Sequence, residues 1–178
     1  MVSEQECLFC KIVKGEVPAK KVYEDDVTLA FLDISPRNPG HTLIIPKKHA
    51  ETLMDLSDKE SARLFESVRK VGEMAMKGVQ AQGLSIAQSN GQAAGQVVAH
   101  VHFHAIPRFA NEPPPGLESI LSTKRLDEKS LDKIAEAVKG APIGESPAPA
   151  EEEPEPTKEK KASKELSFEE EFGDEFKL

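Results

Sequence analysis

The chain has 178 residues with 31 acidic and 23 basic side chains, no Trp and one Tyr, for a formal net charge of −8; that length suits one domain with an appended tail. The charge is uneven, because residues 141–178 carry twelve acidic against five basic side chains, net −7, which leaves −1 for residues 1–140. Such a distribution excludes the basic stripe of a protein that grips a nucleic-acid polymer and favours a nucleotide-sized ligand, and no apolar run reaches the roughly 18–20 residues of a membrane span.

Met1-Val2-Ser3-Glu4 lacks the basic and apolar pattern of a leader, so a cytoplasmic protein is expected. The only two cysteines, Cys7 and Cys10, form Cys-Leu-Phe-Cys, which in a reducing compartment suggests metal ligands or a redox pair rather than a structural staple. Lys21–Glu24 and Thr28–Leu32 read as a hairpin turned by Asp25-Asp26, and His41–Ile45 as a third strand closed by Pro46. Ile34 to Gly40, with two prolines, is a loop. Ser57-Asp58-Lys59-Glu60 has the spacing of a capping box. Behind it Leu64, Phe65, Val68, Val71, Ala75 and Met76 keep helical period, predicting one long amphipathic helix over 57–78. Leu84–Gln88 and Val98–Ile106 supply two further strands around a loop bearing Gly91 and Gly95.

Mostly antiparallel strands with a long helix on one face define an α+β domain over residues 1–140. A loop over 111–125 and a short helix over 130–139 close it. Residues 141–165, rich in Pro, Glu and Lys, hold too little apolar surface to offset the entropy of ordering and are expected to be disordered. In residues 166–178, Phe168, Phe172 and Phe176 recur at helical spacing on an acidic background, which would suit a short helix docking on its own domain or on a protein partner.

Three of the five histidines fall in His100-Val101-His102-Phe103-His104. In a strand, side chains alternate, so the three imidazoles share one face while Val101 and Phe103 enter a core on the other. A half-buried strand whose polar face merely happens to be histidine is the plainer explanation, but three imidazoles in register suit phosphoryl chemistry or metal binding. Ser89 to Val97 precedes this strand, and its glycines would let backbone amides approach an anion. Alone that loop would be read as an ordinary hairpin connection.

With these residues the chain resembles the histidine triad (HIT) family, whose mark is His-x-His-x-His with apolar x, and its zinc-containing Hint-like branch. Cys7-Leu-Phe-Cys10, Phe31-Leu-Asp-Ile-Ser-Pro, Pro39-Gly-His41-Thr, Ile45-Pro-Lys-Lys-His49 and Ala94-Gly-Gln96 extend the likeness over roughly residues 5–110 in the expected order. The resemblance implies an antiparallel sheet of about five strands in a homodimer, with a purine nucleotide over the triad. By position, His102 is the nucleophile that forms a transient nucleotidyl-imidazole, and His104 bonds the phosphate and helps protonate the leaving group. Gln96, the amides of Gly95 and Val97, and Ser89 would meet the phosphate. Leu8, Phe9, Ile12, Phe31 and Ile34 would hold the base and Asp33 the ribose hydroxyls, although apolar residues taken singly are more often core. His41 would support the histidine hydrogen-bond network.

Cys7 and Cys10 with two histidines suit tetrahedral zinc, and the resemblance completes the set with His49 and His100 as a structural site. The chain departs from the family at Ser89, where many members have Asn, at Val97, where some carry Ser or Thr, and in lacking Trp. The expected function is release of a nucleoside monophosphate, AMP above all, from phosphoramidate or phosphoanhydride-type substrates. The alternatives are dinucleoside polyphosphate hydrolysis and a largely non-catalytic purine-nucleotide-binding or partner-docking role.

Overall fold

A computed structural model of the chain describes residues 3–110, residue 112, and residues 127, 128, 134, 135, 138 and 139. In chain order it contains α1 (Leu8–Val13), β1 (Lys21–Glu24), β2 (Thr28–Leu32), β3 (Thr42–Pro46), α2 (Asp58–Gly78), β4 (Gly83–Gln88) and β5 (Phe103–Arg108), with 3₁₀ turns at Leu53–Asp55 and Gln92–Ala94. The strands form one antiparallel sheet in the order β1-β2-β3-β5-β4.

Alternation along β2 and β3 sorts the core into two layers. Ala30 and Ile44 join Leu64, Val68, Val71, Val101, Phe103 and Ala105 beneath α2. Leu29, Phe31, Leu43 and Ile45 point the other way and pack with Cys7, Phe9, Cys10 and Ile12 of the α1 region. Both faces of the central strands are thus covered, which is why they read as unbroken apolar runs.

The expected long helix is present. Ser57 caps it, its amide and hydroxyl each donating to Glu60 Oε2 at 2.8 Å while the Glu60 amide donates to Ser57 Oγ at 3.3 Å, the reciprocal capping box anticipated from the sequence. The hairpin, the third strand and β4 fall within a residue of their expected bounds.

Two differences bear on the site. First, α1 has no counterpart in the sequence reading. It spans six residues without a side-chain cap bond or an acidic first turn, so its helicity rests on burying Phe9, Cys10 and Ile12 against the sheet rather than on local signals. Second, the histidine strand begins later than the expected Val98. Ladder pairing starts at Ile44↔Phe103, while the amide of His100 turns back to Val98 O at 2.8 Å and that of Val101 donates to Ala50 O at 2.7 Å. Pro46 lacks an amide with which to extend β3 alongside them. Val98–His102 is therefore a bonded approach to β5, yet Val101 and Phe103 still face the helix layer.

Residues 134, 135, 138 and 139 are helical; the rest of the expected 130–139 helix lies outside the described residues. So do the 111–125 loop apart from Glu112, the 141–165 stretch and the phenylalanines of 166–178. No helix among the described residues is long and apolar enough to cross a membrane.

Candidate functional site

Register in the sheet brings His41 to the triad. β3 pairs with β5 so that Leu43 lies opposite His104 and Thr42 opposite Ala105, which places His41, just ahead of β3, beside His104. Their rings are 5.1 Å apart and His41 Nε2 is 2.9 Å from His104 Nδ1. The other His41 nitrogen, Nδ1, accepts the amide of Arg37 at 3.2 Å, so Nδ1 carries the lone pair and Nε2 the proton. His41 Nε2–H thus donates to His104 Nδ1, and the proton of His104 sits on its Nε2. Burial holds His41 below its ordinary value against the pull of Asp33. The 3.6 Å approach of His41 to Asp33 Oδ2 is therefore not an ion pair at neutral pH. Burial, then the rings of His102 and His41, push His104 down to about 4.

His102 is fixed from its own chain. Its Nδ1–H donates to the carbonyl of His100 at 2.7 Å, leaving Nε2 with a lone pair that no described residue occupies. Phe9 meets the His102 ring edge-on at 5.3 Å and Phe31 at 5.8 Å, and the His102 and His104 rings lie 5.1 Å apart. The result is a bare nucleophilic nitrogen next to an imidazole N–H donor.

The third imidazole serves a different cluster. Cys7, Cys10, His49 and His100 bring one ligand atom each to within 4.8 Å of one another, three of them buried. His100 Nδ1 lies 3.5 Å from Cys7 Sγ and 3.6 Å from Cys10 Sγ, and His49 Nδ1 lies 3.3 Å from Cys10 Sγ. Sulfur and nitrogen held tetrahedrally at zinc bond lengths would be about 3.6 Å apart. His100 Nε2–H donates to Pro46 O at 2.9 Å, the outer-sphere bond that orients a ligating imidazole. Burial, followed by the adjacent Cys7 thiol, pushes Cys10 up to about 12. The donor set fits a soft divalent cation.

The other expected site residues divide. Phe9, Ile12 and Phe31 are buried together, whereas Leu8 is half exposed and Ile34 and Val97 are almost fully exposed. Asp33 Oδ1 accepts the amide of Ser35 at 2.8 Å, while Oδ2 faces His41. In the loop before β5, Gly91 and Gly95 take positive φ of 81° and 85°. The Gly95 amide donates to Gln92 O at 2.9 Å, so it is already committed, but the Val97 amide donates to no described residue. Asn90 escaped the sequence reading although it anchors this loop, its Oδ1 accepting the Leu53 amide at 2.9 Å and Gln88 Nε2 at 3.0 Å. An Asn-Gly pair beside the glycines was the available signal.

A sheet carrying a row of imidazoles with assigned donor and acceptor nitrogens, next to a free loop amide, is the arrangement the sequence led us to expect of a histidine triad protein. The chain belongs to the HIT domain family, whose model matches residues 14–111. It is 43% identical over 134 residues to an uncharacterized HIT-like protein of Methanocaldococcus jannaschii, covering 75% of this chain and 99% of that one. Similarity also extends to an adenosine 5′-monophosphoramidase of Schizosaccharomyces pombe, 46% identical over 102 residues, 57% of this chain and 74% of the relative. Among solved structures, one from Streptococcus mutans superposes with a TM-score of 0.70 at 40% identity, covering 77% of this chain and 85% of its own.

Proposed function

We propose that the protein releases AMP from phosphoramidate or other phosphoanhydride-type substrates through a nucleotidyl intermediate on His102. One observation carries this: the 2.7 Å bond from His102 Nδ1–H to the His100 carbonyl, which leaves the Nε2 lone pair as the attacking atom. Similarity to a protein named as an adenosine 5′-monophosphoramidase supports release of a nucleoside monophosphate from phosphoramidate-type substrates.

In this reading His102 Nε2 attacks the α-phosphorus and the bond to the leaving group breaks. His104 presents its Nε2–H to the phosphate and passes that proton to the leaving amine as the phosphorus–nitrogen bond breaks. Water then attacks phosphorus and returns its proton to His104 Nε2, the phosphorus–imidazole bond breaks, and AMP departs. The free Val97 amide stabilises the growing phosphate charge. Phe9, Ile12 and Phe31 line the base side, with Leu8 and Ile34 at its rim and Ser89 at the start of the phosphate loop. Asp33 Oδ2 accepts the ribose hydroxyls.

Cys7, Cys10, His49 and His100 would hold zinc, which when bound clamps α1 to the approach to β5 and takes no part in the displacement. The family resemblance also supports a homodimer. Among the described residues β4 lies at one edge of the sheet with one ladder side unpaired and a half-exposed Ile86, an edge that a second copy would cover. Sedimentation as a monomer at micromolar concentration would reject the dimer.

The test of the activity compares AMP release from adenosine 5′-phosphoramidate and from diadenosine tetraphosphate by the wild type and His102→Ala. Turnover of the phosphoramidate that disappears in the variant supports the reading. Preference for the dinucleotide would transfer the leaving-group assignment to polyphosphates. Nucleotide binding without His102-dependent turnover would replace the hydrolase with a binding role.

A further inference from the structure

The side chain of Gln96 is spent on backbone groups of its own loop and of the neighbouring segment. Its Oε1 accepts the Gly91 amide at 2.6 Å. Its Nε2 donates to Glu51 O at 2.6 Å and Val98 O at 3.0 Å, with a longer approach to His100 O at 3.4 Å. The Gln96 backbone amide also returns to Gly91 O at 3.2 Å, so residues 91 and 96 are tied by two bonds across the loop. A carboxamide has two N–H donors and one oxygen. Both donors are used, so no N–H is left for a phosphate unless this set is broken.

These acceptors matter by position. Glu51 belongs to the segment whose Ala50 carbonyl holds the Val101 amide at 2.7 Å, so Gln96 fastens the loop to the stretch that runs beside the histidines. His100 O is the same oxygen that receives His102 Nδ1–H. With its two N–H groups on the Glu51 and Val98 carbonyls, the Gln96 nitrogen is held 3.4 Å from that oxygen, so it packs against the carbonyl whose direction sets the His102 ring. Val97, the next residue along, carries the free amide.

We propose that Gln96 is a positioning residue: it closes the 91–96 loop so that the Val97 amide faces the phosphate, and it steadies the carbonyl that orients His102, without touching the substrate. This rests on the hydrolase reading for its mechanistic meaning. Preorganised donors contribute most where charge develops in the transition state, so loosening them lowers turnover more than it weakens contacts to the nucleoside.

Two measurements on the full-length, metal-loaded protein test it. In ¹⁵N spectra of the wild type titrated with AMP, the Val97 amide should move downfield while the Gln96 side-chain NH₂ signals stay in place. Movement of the Gln96 signals comparable to that of Val97, or no movement at Val97, would overturn the proposal. For Gln96→Met, which keeps the length and removes the hydrogen bonds, kcat should fall roughly 10–100-fold, less than the roughly 100–1,000-fold for outright loss of an oxyanion donor because the Val97 amide is loosened rather than removed. The Val97 response to AMP should vanish and adenosine affinity should stay within about twofold. Unchanged turnover with an intact Val97 response would refute it. If the variant does not fold, the wild-type titration decides. If the wild type itself shows no His102-dependent turnover, the hydrolase reading fails, while the AMP titration still determines whether Gln96 acts as a clip.

Discussion

His100 joins two centres through two different atoms: its ring nitrogen Nδ1 faces Cys7 Sγ at 3.5 Å while its carbonyl oxygen accepts His102 Nδ1–H at 2.7 Å. Phe9, between the two cysteines in sequence, packs on the His102 ring as well. A cation at the cysteine–histidine cluster would therefore stabilise the backbone that orients His102, the proposed nucleophile.

Protein purified without chelators should accordingly contain about one equivalent of zinc per chain, and Cys7→Ser or His49→Ala should lose it. Stripping the metal should lower the thermal midpoint by several degrees or more, since metal binding energy is folding energy, and re-addition should restore it. Less than about a tenth of an equivalent in the wild type would reject the site.

A pH dependence follows from His104. Burial and its histidine neighbours hold it near 4, whereas an unfolded histidine titrates near 6.5. Between those values the unfolded chain binds more protons than the folded one, so stability rises with pH across roughly 4 to 6.5 and is complete above it. The urea midpoint should fall from pH 7 to pH 5, and the fall should be smaller in His104→Gln. Identical slopes for the two proteins would dismiss the assignment.

Asp25 loses its contribution in a lower window. Burial raises its carboxyl, but the Tyr23 hydroxyl at 2.8 Å, the amides of Val27 and Thr28 at 2.9 and 2.7 Å, and the Ser67 hydroxyl at 3.3 Å outweigh that and hold it below the ordinary carboxylate value. Its stabilisation is present above the unfolded value of about 3.9 and is lost as pH falls through the folded one. Asp25→Ala should cost about 2–3 kcal/mol at pH 7 by urea denaturation, and the difference from wild type should shrink toward pH 2. A cost under about 0.5 kcal/mol would mean that these bonds exchange freely with water.

Much of this was readable because it is local. The capping box of Ser57 and Glu60, the Asp25 turn and the alternation around His102 each depend on residues a few places apart. The parts that were not readable depend on distant partners. The helix α1 forms because Phe9, Cys10 and Ile12 have a sheet to cover. The histidine strand starts late because Pro46 ends its neighbour. Ile34 and Leu8 carry the apolar character of pocket residues but are exposed among the described residues, since one sits in a loop and the other on the outer side of a short helix. Gln96 fits a phosphate ligand by position in the chain, and only the carbonyls of Glu51 and Val98 reveal where its side chain goes.

His41 offers the sharpest test of the proton assignments. With the Arg37 amide on its Nδ1 and its own Nε2–H on His104 Nδ1, His41 fixes the His104 proton on Nε2, the nitrogen that the proposed mechanism turns to the substrate. In His41→Ala that constraint is gone, and His104 is free to place its proton on Nδ1 and turn a lone pair toward the phosphate oxygens. The consequence depends on the leaving group: an amine must gain a proton as its bond to phosphorus breaks, whereas a p-nitrophenolate departs as a stable anion. Turnover of adenosine 5′-phosphoramidate should therefore fall about 100-fold, the lower end for a lost general acid, while the p-nitrophenyl ester of AMP should lose less than about threefold. KM should change little for either, because the interaction strengthens in the transition state. Equal losses on both substrates would instead mark His41 as a packing residue and remove the proton from His104 Nε2.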